Sequence, residues 1–303
     1  MNNVIDVSNL QHLMSAIKSK LDRKSNLDHL HGNMVNISRI ITLEDVETMN
    51  IEELEKTLLL FSTVIDEFYV DGANGSDLSG DGSEGRPWKT IQHSIDSMKK
   101  LCSPIGRISL YIANGIYVEN VEIESMNINV IGNDVTPNAV TIKSLSGRTF
   151  QALGGDLYIS GIRFEGSTLR TFLGAWNNHS RIANCVFYSN VVNEYDVSSE
   201  SSFVRLYDVN FAGPLRGSIL GASYHGVIWP WNNNKVIDPT TVTNLVHSYH
   251  MGNVIVSGAT SFTSSVTITG RRYQVTQMGR LETLSNLPAA TIAGTTATGG
   301  TVI

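Results

Sequence analysis

FYVDGANGSDLSGDGSEGRPWKTIQHSIDSM, residues 68–98, sets a β-strand, a Gly/Asp/Ser-rich loop and an amphipathic helix in one short run. Phe68-Tyr69-Val70 has the aromatic and β-branched character of a half-buried strand. Asp71 to Gly85 is too rich in Gly, Ser and Asp to bury anything and reads as loop. Pro87 then suits a first helical turn, and Ile91, Ile95 and Met98 recur on one apolar face. Such a helix can cover the open first coil of a stacked β-solenoid, with Trp88 packed beneath it.

Working outward, runs of alternating apolar residues recur from Arg107 onward between Gly, Asn and Asp. Ser109–Ile112, Asn127–Ile131 and Ala139–Ile142 supply the first turns. Ile159-Ser-Gly-Ile-Arg-Phe164, Ile182-Ala-Asn-Cys-Val-Phe187, Leu206-Tyr-Asp-Val-Asn-Phe211 and Val256–Phe262 align, their phenylalanines falling at intervals of 23, 24 and 51 residues. A repeat of that length matches solenoid coils, and the phenylalanines are expected to form a ladder along the core. Between Pro214 and Ser248 the rhythm breaks into Tyr224-His-Gly-Val-Ile-Trp-Pro-Trp231 and Asn232-Asn-Asn234, which reads as an insertion carrying function. A β-sandwich with chance spacing is the competing fold.

At residues 68–98 the chain resembles the pectate-lyase-like parallel β-helix proteins of bacteriophage tails, the tail spikes and tail fibres, whose helices begin with a similar segment, "YVDG..GSD..G....P..TIQ..ID". Gly270-Arg-Arg-Tyr-Gln-Val-Thr-Gln-Met-Gly-Arg280 and Ile292–Gly300 are similar to the endings of such chains. The resemblance covers roughly residues 66–303 and is strongest at its two ends. It implies a trimeric, all-β protein built on a right-handed parallel β-helix, located in the virion tail, made in the host cytoplasm and mediating adsorption to a host surface polysaccharide. The expected organisation is a helical region at 1–65, a strand, loop and capping helix at 66–101, the β-helix at 102–283 and a C-terminal extension at 284–303.

Residues 1–65 carry two helical stretches. Ser8 and Gln11 form a capping pair, and Leu10, Met14, Ile17 and Leu21 then make a short a/d seam; Ile51, Leu54, Leu58, Phe61 and Ile65 make another. Isolated helices this short are marginal in water, so they are expected to associate with copies of themselves or to dock on another protein. The resemblance implies a coiled-coil homotrimer attached to other phage tail or baseplate proteins, and two helices packed within a monomer is the alternative. His29-Leu30-His31 puts two imidazoles on one side of an extended segment. "DHLHG" is similar to metal-binding motifs in some phage fibres, and three chains would supply six imidazoles for Fe, Ni or Zn. Two solvated loop histidines are the alternative.

Bulk properties narrow the partners. The 303 residues carry a net charge of -6 with only 17% charged residues, which argues against nucleic acid, where a basic face would supply most of the affinity. No apolar run is long enough to span a membrane, and the N-terminus lacks a signal-peptide pattern. Cys102 and Cys185 are too few for a disulfide framework and read as free thiols made in a reducing cytosol, with Cys185 buried.

Three kinds of chemistry remain. Asp71, Asn74, Asp77 and Asp81 offer oxygen ligands, but their spacing misses the EF-hand pattern and reads as turn residues. Glycan cleavage would require paired carboxylates, for which Asp156, Glu165, Glu194, Asp196, Glu200 and Asp208 are candidates without a distinctive local pair; a lyase would instead use Arg163, Arg181 and Arg205. Trp176, Tyr188, Tyr224, Trp229 and Trp231, beside Asn177, Asn178, Asn232, Asn233 and Asn234, give the flat faces and amides that sugar rings favour. Adsorption to glycan is therefore the leading expectation. A capsule or lipopolysaccharide depolymerase and a purely structural tail link are the alternatives.

Overall fold

The computed structural model describes residues 67–101, 107–144, 146–166, 168–258 and 260–303. The N-terminal helices, the trimeric and tail-attachment contacts assigned to 1–65, the His29/His31 pair and Cys102 lie outside the described residues. From Glu67 on, the chain is an all-β parallel solenoid, and every named strand pairing is parallel, which excludes the sandwich.

Three ladders of strands run along the solenoid. Face A contains Glu67–Val70, Ile108–Ile112, His179–Ala183, Phe203–Tyr207, Val227–Asn232, Asn253–Ile255, Arg280–Glu282 and Thr301–Val302. Face B runs from Gly115–Val118 through Arg163–Glu165, Val186–Asn190 and Asn210–Leu215 to Phe262–Ser264. Face C includes Arg170–Ala175, Tyr195–Glu200, Ser218–Ser223, Thr240–Ser248 and Ile268–Val275. The long strands Val121–Ile131 and Phe150–Ser160 each contribute to face C first and then to face A.

The repeated six-residue segments turn a corner. Ile159, Ile182 and Leu206 stack in face A, whereas Phe164, Phe187 and Phe211 stack in face B. Between them Gly161, Asn184 and Asp208 adopt φ of 67°, 47° and 53°, the left-handed region that Gly, Asn and Asp tolerate best. The ring ladder holds for three coils: Phe164–Phe187 and Phe187–Phe211 stack at 5.0 and 5.6 Å. Phe262 leaves the register and pairs with Asn234, meeting Phe211 edge-on at 5.7 Å.

Two expectations are corrected. Residues 214–248 are no insertion: Ser218–Ser223, Val227–Asn232, Asn234–Val236 and Thr240–Ser248 are ordinary coil strands paired in register with their neighbours. The capping helix, α1 (Ile91–Leu101), starts after Pro87, because the backbone there is already engaged. The Trp88 N–H donates to the Tyr69 carbonyl, and the Pro87 carbonyl accepts from Ser76. Asp77 accepts the N–H groups of Lys89 and Thr90, and Glu119 accepts those of Ile91 and Gln92. These carboxylates thus satisfy donors around the helix start. Asp71 and Asp81 likewise bind turn amides, so the loop aspartates do turn work. Ile91, Ile95 and Met98 are fully buried, and Trp88 stacks on Phe68 at 5.4 Å. Residues 284–303 add Thr295–Thr296 and Thr301–Val302 to the ladders. Cys185 is buried, and burial pushes its thiol up to about 12.

The interior also holds an ion pair. Asp196 and Arg216 are fully buried and bonded to each other; Asn193 donates to Asp196 at 2.8 Å, and Arg216 donates to Thr240 at 3.1 Å and to the Gly213 carbonyl at 3.1 Å. Burial pushes the Asp196 carboxyl up while Arg216 and Asn193 pull it back. Asp196→Ala leaves an uncompensated buried guanidinium and should cost about 3–5 kcal/mol, whereas Asp196→Leu with Arg216→Met should cost much less. Chemical denaturation of the two variants checks this, and equal losses would refute it.

Candidate functional site

The outward positions of face A form two parallel rows. Tyr158, Arg181, Arg205 and Trp229 are register partners from coil to coil, as are Asp156, His179, Phe203 and Val227 beside them. Each step along a row is ~4.8 Å, the spacing of neighbouring strands. Phe203 meets His179 at 6.1 Å and Trp229 at 6.2 Å, and Trp229 meets Trp231 edge-on at 4.3 Å. Arg205 lies over Phe203 and Trp229 at 4.8 and 5.1 Å. His179, Ser180, Arg181, Phe203 and Arg205 line an open depression of about 240 Å³.

The sequence-predicted binding residues gather around this face. Trp229 and Trp231 lie in it, and Asn232 ends the same strand. Asn233 occupies the corner after it at φ 49° and donates to Asp208 at 2.9 Å. Trp176 and Tyr224 sit at the opposite border, where face C turns into face A, at φ 55° and 49°. Asn178 and Asn234 are buried and bond main-chain carbonyls, so they are structural. Tyr188 is on face B under Arg163, at 4.1 Å, which separates Arg163 from Arg181 and Arg205.

The border that carries Trp176 and Tyr224 repeats. Trp176-Asn177, Tyr224-His225, His250-Met251 and Gln277-Met278 all have positive φ at both residues. The following amide of Asn178, Gly226, Gly252 or Gly279 donates back to the residue three before it, closing the turn. A Cβ on Gly226 would lie 2.2 Å from the Ser199 carbonyl, so glycine is needed there. Bulky side chains in this conformation cost roughly 1–2 kcal/mol, yet Trp176 adopts it with its side chain 68% exposed.

The predicted carboxylates are scattered over three faces. Asp156, on face A, pairs with Arg107 at 2.9 Å and reaches Arg181 at 4.0 Å. Glu165, on face B, pairs with Lys143 at 2.6 Å. Glu194 and Glu200 both bind Arg170, at 3.0 and 2.5 Å, beside face C. Asp196 is interior and Asp208 is at a corner, so neither faces another candidate across a groove.

Two clusters escaped the sequence reading. Glu122 and Glu124 alternate along the strand Val121–Ile131, with Glu122 lining a second open depression of about 350 Å³ with Asn120, Arg148, Gln151 and Leu169. Burial and the charge of Glu124 raise the Glu122 carboxyl above its usual value. The Glu-x-Glu alternation was the available signal. On face C, Tyr195 reaches across one coil to His247, its hydroxyl 2.8 Å from Nδ1. Gly221 permits this, since a Cβ there would lie 2.2 Å from the tyrosine ring. Burial pushes the Tyr195 phenol up, while burial with Arg271 and His250 holds the His247 imidazole down, so the hydrogen bond between them favours two uncharged groups. Among the described residues no group of three or more His, Cys, Asp or Glu is arranged to hold a metal, and no helix is long and apolar enough to cross a membrane.

No protein-family model matches the chain, and no curated protein matches it. Among solved structures it is similar to a GH136 lacto-N-biosidase from Eubacterium ramulus at 9% identity over 85% of this chain and 72% of that one, with a TM-score of 0.28. A likeness that weak carries nothing about ligand or activity.

His247 gives a pH prediction. Its folded value lies below the ordinary 6.5, so as pH falls through that interval the unfolded chain takes up the proton first and stability drops. The denaturation midpoint should decline from about pH 7 to about pH 5, and His247→Gln, which keeps a hydrogen-bonding group for Tyr195, should flatten that decline.

Proposed function

We propose that face A is a glycan-binding surface and that the chain is the adsorption solenoid of a bacteriophage tail fibre or tail spike, with a host surface polysaccharide as its ligand. The observation that carries the binding reading is the convergence of exposed aromatic side chains on one face and its border. Trp229 and Trp231 form an edge-to-face pair in the face, and Trp176 and Tyr224 are displayed beside it, exposed at positive φ on turn tips. Aromatic faces next to arginine and amide groups match the apolar and hydroxyl sides of sugar rings. The viral assignment is supported by the resemblance of residues 68–98 and of the C-terminal segments to tail proteins.

Trp229→Ala with Trp231→Ala should weaken glycan binding by about tenfold or more, given what central aromatic anchors contribute. Binding of intact cells and of their extracted polysaccharide, with circular dichroism as the folding control, is the measurement. Unchanged adsorption by a folded variant would remove face A from the reading, and failure of particle assembly with binding intact would favour a structural tail role.

A depolymerase is the second reading, and Glu122 is what favours it. A carboxyl whose proton affinity is raised by burial and by a neighbouring carboxylate is the kind of group from which a glycosidase general acid is made. Incubation with host polysaccharide should then release reducing ends, and Glu122→Gln should abolish that release while leaving binding at face A unchanged. No release by the native protein would dismiss this reading.

A further inference from the structure

Arg181 and Arg205 are direct register partners on neighbouring strands of face A. Like charges placed opposite one another across strands oppose folding unless something neutralises them. Among the described residues little does: there Arg181 reaches only Asp156, at 4.0 Å, and that carboxylate is already paired with Arg107 at 2.9 Å. The Arg205 side chain makes no hydrogen bond or ion pair among the described residues, and its Nε is buried without a partner. Its contacts are instead the faces of Phe203 and Trp229, which orient the guanidinium without neutralising it. Both arginines line the same open depression with His179, Ser180 and Phe203, and none of those five residues is acidic. In a chain of net charge -6, Arg107 and Arg181 thus share the single carboxylate of Asp156, and Arg205 beside Arg181 has none.

We infer that the Arg181–Arg205 pair is an anion subsite and that the glycan bound on face A is acidic. Its carboxylate, phosphate or sulfate group would lie between the two guanidiniums while an adjoining ring packs on Trp229 and Trp231. The row from Tyr158 to Trp229 covers three coil steps, ~14 Å, so a short stretch of polymer aligned with the solenoid can place a charged sugar at the arginines and a neighbouring sugar at the tryptophans. Planar guanidiniums suit such oxyanions through paired N–H donors, and lysine would not reproduce this geometry. This inference rests on the glycan-binding reading of face A and adds the charge of the ligand.

The test measures binding of the full chain to matched polymers by affinity electrophoresis. Polygalacturonate is set against its methyl-esterified form, and dextran sulfate against dextran, so that carboxylate and sulfate sources are told apart. The native protein should bind at least one charged polymer about tenfold or more tightly than its uncharged match, and the preference should shrink as salt rises. Arg181→Gln with Arg205→Gln should remove the preference and leave residual affinity for the uncharged polymer. Trp229→Ala with Trp231→Ala should weaken charged and uncharged polymers together. Arg205→Lys keeps the charge and serves as the folding-safe variant: it should retain the salt dependence with reduced affinity. Equal binding of charged and uncharged polymers, or a preference that survives the double arginine variant, overturns the anion subsite while leaving the glycan reading standing. Absence of binding to all four polymers, with host polysaccharide bound through the tryptophans, also overturns it. Loss of every interaction with host polysaccharide in the native protein would instead defeat the glycan reading itself.

Discussion

The structure depends on one constraint: parallel coils stack in register, so each side chain must coexist with the side chain ~4.8 Å above and below it. Where that neighbour is a like ring, the result is cohesive, as in the stack of Phe164, Phe187 and Phe211. Where buried polar groups meet, they are matched, as in Asp196 with Arg216 and in Asn234, whose amide bonds the carbonyls of Leu206 and Ser261. Matching extends to the surface of faces B and C, through Lys143 with Glu165 and Arg170 with Glu194 and Glu200. Against this pattern, the row of Arg181 and Arg205 stands apart.

The same constraint gives each face its own chemistry. A residue type placed at one position of one coil adds to the same stripe when it recurs a coil later, so stripes and not isolated residues are the functional units. Face A accumulates rings and guanidiniums. Face C accumulates a hydrogen-bonded aromatic chain, since Tyr195 meets His247, His247 stacks on Tyr249 at 4.6 Å, and Tyr224 stacks on His250 at 4.9 Å at its border. The space for that chain comes from Gly221, a residue with no side chain at the crossing point.

Much of the fold was legible in residues that recur at the coil interval. The spacing of Phe164, Phe187 and Phe211 gave the ladder, and the amphipathic face of Ile91, Ile95 and Met98 gave the cap. What misled was the identity of the corner residues. Gly161, Asn184 and Asp208 sit inside alternating runs that scan as continuous, although their tolerance of positive φ is what bends the chain between two faces. Composition misled as well: residues 224–234 looked irregular because aromatic and amide groups occupy outward positions, while Ile228 and Val236 kept the inward pattern. At the candidate site, individual residues such as Trp229 and Arg205 were legible, but their partnership was not, because contact across coils depends on register between residues some two dozen positions apart. The link between Tyr195 and His247, two coils apart, was out of reach for the same reason.

The turns bordering face A carry a last consequence. Their geometry is secured by main-chain hydrogen bonds and by the glycine that follows, as at Tyr224-His225-Gly226 and His250-Met251-Gly252. The side chain displayed at the tip is therefore a passenger of the backbone and is not needed to close the turn. Such tips form a row of interchangeable display points, where recognition can drift from one surface chemistry to another while the scaffold beneath keeps its shape.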